Sequence, residues 1–115
     1  MIEEMTTPFS PTAKEARRQE ADGMTMEELT NKVDDLIVQV HTLSEDVKVL
    51  EKEKSRADHA WEAKHTLERH GKLKLAEENL EARRKERDCV AYEAGEWASH
   101  LQRRSLARRA ERTNR

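Results

Sequence analysis

Apolar side chains recur through the first half of the chain in a fixed rhythm: Met26, Leu29, Val33, Leu36, Val40, Leu43, Val47 and Leu50. The steps alternate between 3 and 4 residues. That spacing keeps one narrow seam of an α-helix turned toward a partner helix. Met26, Val33, Val40 and Val47 take the a positions of a heptad, and Leu29, Leu36, Leu43 and Leu50 the d positions. A helix lying on a globular core shows a wider stripe than this. The pattern therefore predicts a coiled-coil helix over residues 25–70, with strict heptads in 26–50.

The start of that helix is written locally. Thr25 and Glu28 fit a capping box, with Met24 and Leu29 as a hydrophobic staple across it. Glu27 and Glu28 suit the positive end of the helix dipole. After Leu50 the same register passes through Lys54, Ala57, Trp61, Lys64, Glu68 and Gly71, of which only Trp61 is large and apolar. A second register follows: Leu73, Ala76, Leu80, Arg83, Arg87, Val90, Ala94, Trp97 and Leu101. It is out of phase with the first and is interrupted by two arginines. The phase break falls near Gly71, and two readings fit it. In one, a single helix carries a heptad discontinuity or a mild kink. In the other, two helices are hinged at Gly71 and fold back as a hairpin. No proline lies beyond Pro11, and this favours continuity. The second charged helical segment is expected over 71–102.

Residues 1–24 read as a flexible acidic leader with a short helix at 11–21, Ser10 serving as N-cap and Pro11 as the first helical residue. Gly23 is placed to end that helix in a left-handed conformation. Its apolar side chains other than proline are alanines, so nothing in the sequence docks it. Thr7-Pro8 and Ser10-Pro11 match proline-directed phosphorylation dipeptides, a weak signal. Residues 103–115 form an arginine-rich tail.

Composition agrees with the rhythm. Leu, Ile, Val and Phe number only 19 of 115 residues, while 40% of residues are charged. That is too little apolar volume for a compact globular core. Ala, Glu, Lys, Leu and Arg make up 63 residues, the usage of long helices. The expected class is all-α: a long extended coiled-coil helix, kinked or hinged near Gly71, between a flexible leader and a basic tail. Strand alternation and hairpin turn signals are missing. No apolar run approaches the roughly 20 residues of a membrane span. The first residues lack the apolar core of a secretory signal, and one cysteine, Cys89, permits no internal disulfide. An intracellular protein is the resulting expectation.

The net charge of −2 hides a polarity: residues 1–50 sum to −6, 51–98 to −1 and 99–115 to +5. Val at a with Leu at d favours a parallel pair, so a homodimer through 26–50 is the first expectation, and Leu36→Lys or Leu43→Lys should abolish it. The g-to-e pairs Asp46–Glu51 and Glu53–Asp58 are like-charged and Ile37 widens the seam, so a trimer, an antiparallel pair or a second coiled-coil protein stays open. On a helix, Arg104, Arg108 and Arg112 form one stripe flanked by Arg103 and Arg109. Guanidinium groups suit phosphate, so this stripe is a candidate for nucleic acid or an acidic partner surface. The plainer reading is a tail that offsets the acidic half. No aromatic residues interleave to stack on bases.

Five histidines are spread without a paired spacing, and Glu62-x-x-His65 stands alone, so no metal or cofactor is expected. Cys89 sits beside the seam, where a reduced, partly buried thiol is expected. Trp61 and Trp97 fall on seam positions, where they either pack or anchor a partner. There is no phosphate loop, nucleophile elbow or paired carboxylate, so an enzyme is not expected. The function reading is a non-enzymatic oligomerisation, scaffold or adaptor protein; the alternative is a small nucleic-acid-associated protein.

Overall fold

The computed structural model describes residues 9–113. It is all-α, with three helices and no strand among those residues: α1 (Pro11–Asp22), α2 (Met26–Ala63) and α3 (Leu67–Thr113). They distribute into two compact units. One takes in the chain up to Gln39 together with Cys89 onward, and the other is Val40–Asp88. The acidic residues that open the leader, and Thr7-Pro8, lie outside the described residues.

The helix starts are those expected. Ser10 caps α1, its Oγ accepting from Ala13 N at 3.2 Å with Pro11 at the first position. At α2, Glu28 N donates to Thr25 Oγ1 at 3.1 Å and Thr25 N donates to Glu28 Oε1 at 3.4 Å, closing the capping box. Gly23 differs from expectation. It is not left-handed but has φ −87° and ψ −4°, with its N–H donating to Glu20 O at 3.2 Å. A tight turn closes α1, so a positive φ is not needed there.

In the unit Val40–Asp88 the break between α2 and α3 falls at Lys64–Thr66, not at Gly71. Thr66 acts as the N-cap of α3: its Oγ1 accepts from Arg69 N at 3.2 Å. Arg69 reaches back in turn, an N–H donating to Ala60 O at 2.7 Å at the end of α2. These two contacts fix the reversal. Gly71 lies inside α3 with open space around its Cα. Sequence reasoning passed over the signal, a threonine followed by an acid in the next turn at Glu68. The two helices of this unit run antiparallel, crossed by Arg83–Asp46 at 4.0 Å and Arg84–Glu51 at 3.3 Å. Leu43, Val47, Leu73 and Leu80 are its buried apolar residues. Arg83, which interrupts the second register, is half-buried and also pairs with Glu86 at 2.9 Å.

In the other unit, α2 and α3 again pair antiparallel, and α1 lies against them. The core is Ala21, Leu29, Val33, Leu36 and Trp97, with Met24, Val90, Ala94 and Leu101 packed around it. Leu29 is fully buried and Trp97 is 2% exposed. The Lys32 ammonium lies 5.5 Å from the Trp97 ring centre. α1 is not undocked, as its alanine-only face suggested. Arg17 donates from Nε and Nη2 to Glu96 Oε2, at 3.0 and 2.6 Å, with Glu93 3.8 Å away. Arg104 donates to the carbonyls of Ala21, at 2.8 Å, and of Met24. Phe9 meets Tyr92 at 4.5 Å between ring centres.

The seam of residues 26–50 is therefore covered within the chain. All eight of its residues are buried or half-buried, as are the nine positions of the second register. Within each unit the seam meets the second register of the same chain. Closing a three-residue turn costs far less than bringing two molecules together, so pairing within the chain is favoured. The tail is also more ordered than expected, since α3 runs unbroken to Thr113.

Candidate functional site

With the seam covered within each unit, two surface features of the unit that holds α1 stand out. One is a strip on the face away from α1. Ala91, Gly95, Ala98, Gln102 and Ser105 follow one another on α3 at steps of 4 and 3, with Thr30 and Ile37 on α2 alongside. Apart from half-buried Ser105 these residues are exposed, and Ile37 is 55% exposed. An open groove of about 470 Å³ runs through it, lined by Met26, Thr30, Ala98, Leu101, Gln102, Ser105, Leu106 and Arg109. Small side chains there let another helix approach to an axial distance of about 8 Å.

The second feature is a pocket of about 280 Å³ where the end of α1 meets α3. Its walls are Arg18, Ala21 and Asp22 from α1, Leu29 from α2, and His100, Arg103, Arg104 and Ala107 from α3. The α3 residues share one helical face because they are spaced i, i+3, i+4 and i+7. Arg103 Nη2 lies 2.5 Å from His100 Nδ1. A guanidinium only donates, so Nδ1 accepts and the neutral ring carries its proton on Nε2. His100 Nε2 is buried and has no hydrogen-bond partner among the described residues. Burial, then the Arg103 charge, holds the His100 pKa below the usual 6.5, against an opposing pull from Glu96 and Asp22.

The five tail arginines do not act as one stripe. Arg103, Arg108, Arg109 and Arg112 are exposed, whereas Arg104 is half-buried and donates to the carbonyls that end α1. Trp97 is a core residue. Trp61 is half-buried and stacks on His65 with ring centres 4.3 Å apart. Cys89 is a half-buried free thiol. Among the described residues no three His, Cys, Asp or Glu side chains converge to hold a metal, and no helix is long and apolar enough to cross a membrane. Sequence reasoning did not single out Arg17, Arg18, Asp22 or His100 as a group. The spacing of His100, Arg103 and Ala107 was legible, but their meeting with α1 was not.

No protein-family model matches the chain, and no curated protein or solved structure matches it.

Proposed function

We propose that this chain is a non-enzymatic helical docking protein that associates through helix–helix contacts, with a second copy of itself as the first partner. The observation that carries the reading is the strip of Ala91, Gly95, Ala98 and Ser105 with Thr30 and Ile37, left outside once the heptad seam is covered. Two such strips, related by a two-fold axis, would bury Ile37 and half-exposed Leu106 against small residues of the other copy. In this reading the face beside the seam is the site for association.

Sedimentation velocity over a concentration series tests this. The natural chain should sediment as more than a monomer at tens of micromolar, roughly the range of a modest interface. Ile37→Lys and Ala98→Lys should sediment as monomers with undiminished helicity. A natural chain that stays monomeric throughout would defeat self-association. Exposed Arg103, Arg108, Arg109 and Arg112, carried on a continuous helix, favour one second reading: salt-sensitive binding to a nucleic-acid backbone. Removal of residues 103–115 should then abolish retention on RNA. Full-length protein that RNA never retains would refute it.

A further inference from the structure

We propose that the pocket between the end of α1 and α3 binds the phosphate group of a small phosphate monoester, held by Arg18, Arg103 and Arg104 beside the His100 ring. Three observations converge on that chemistry. The lining presents three guanidinium groups against one carboxylate, Asp22, and although Glu15 lies 4.0 Å from Arg18 the site keeps an excess of positive charge suited to a phosphate anion. Glu96, the other acid close to His100, is already neutralised by Arg17 at 2.6 Å. The guanidinium groups come from two helices, Arg18 from α1 and Arg103 and Arg104 from α3. A planar carboxylate is satisfied by one bidentate arginine, whereas the tetrahedral oxygens of phosphate need donors from several directions. At about 280 Å³ the pocket admits a phosphate with a short organic substituent, and its lining holds no Phe, Tyr or Trp for a base to stack on.

Arg104 has a double task. It already donates to the carbonyls of Ala21 and Met24, so a bound anion would sit on the guanidinium that holds α1 in place. Ligand binding and α1 docking then reinforce one another. A bound dianion also favours the imidazolium form, so the His100 pKa should rise when the pocket fills.

The test follows the His100 ring signals by NMR in the full chain during titration with inorganic phosphate, with a simple alkyl phosphate and with acetate. Phosphate and the alkyl ester, at up to about 10 mM, should shift those signals with saturation and raise the His100 titration midpoint. Acetate should do neither. Arg103→Gln should weaken binding about tenfold, the loss of one charge-assisted contact. Asp22→Asn should tighten it several-fold, because it removes the opposing charge, and this variant has no reason to unfold. Absence of any saturable shift at His100, an equal response to acetate, or an Asp22→Asn variant that binds no better would each overturn the proposal.

Discussion

Leu36 and Ile37 are neighbours in sequence with opposite fates: the first is 5% exposed and the second 55%. Replacing each in turn by lysine asks which face of α2 the fold depends on. Leu36 is in the core with Leu29, Val33 and Trp97. Truncating a buried leucine costs about 2–5 kcal/mol, and burying an unpaired ammonium adds several more. The total, about 5 kcal/mol or above, rivals the entire stability of a small domain, about 5–15 kcal/mol. Leu36→Lys should therefore lose most of its helical signal at room temperature at every protein concentration. Ile37→Lys places the same charge one residue on, in water, and should shift stability by no more than about 0.5 kcal/mol. Far-ultraviolet circular dichroism with urea titration measures both. The reasoning fails if the two variants lose stability equally, or if Ile37→Lys is the more damaged. A Leu36→Lys chain that keeps full helicity as a monomer would show that the seam is not the core.

Gly71 lies within α3 with nothing within 4 Å of where a Cβ would sit, so Gly71→Ala should stabilise the chain by about 0.5–1 kcal/mol. A lowered melting temperature would contradict its helical placement. Glu96→Gln removes the charge that Arg17 holds at 2.6 Å, and should loosen α1 by about 1–3 kcal/mol. Hydrogen exchange should speed up in residues 11–22 before it does in the core of α2, and uniform exchange across both would argue against this anchor. The pH response has a definite sign. Because the folded-state pKa of His100 lies below 6.5, the folded chain binds fewer protons than the unfolded one as acid is added. The stability tied to this residue is complete above 6.5 and declines as the pH falls through 6.5 to the folded-state value. His100→Gln should flatten that part of the stability–pH curve, and an unchanged slope would mean that His100 does not sense folding.

Much of the local structure could be read from the residues alone. The capping box at Thr25 and Glu28, the Ser10–Pro11 start and the 3-4 rhythm of 26–50 all act within one or two helical turns, so the chain states them directly. Both apolar registers were legible for the same reason, and so was the all-α class. The partner of each register was not, because a heptad specifies a face and leaves open which helix covers it. That choice rests on the reversal at Lys64–Thr66, fixed by Thr66 Oγ1 and by Arg69 reaching Ala60 O. Gly71 drew attention as the weakest helix former nearby, yet a single glycine costs only about 1 kcal/mol and α3 absorbs it. The pocket needed still more. Arg17 and Glu96 are 79 residues apart in sequence, and Arg104 meets Ala21 across 83. Polar contacts over such distances leave no period in the sequence. Periodicity determined which faces are apolar, and only the tertiary structure, by returning the chain on itself, decided which of them are used up and which are left for a partner.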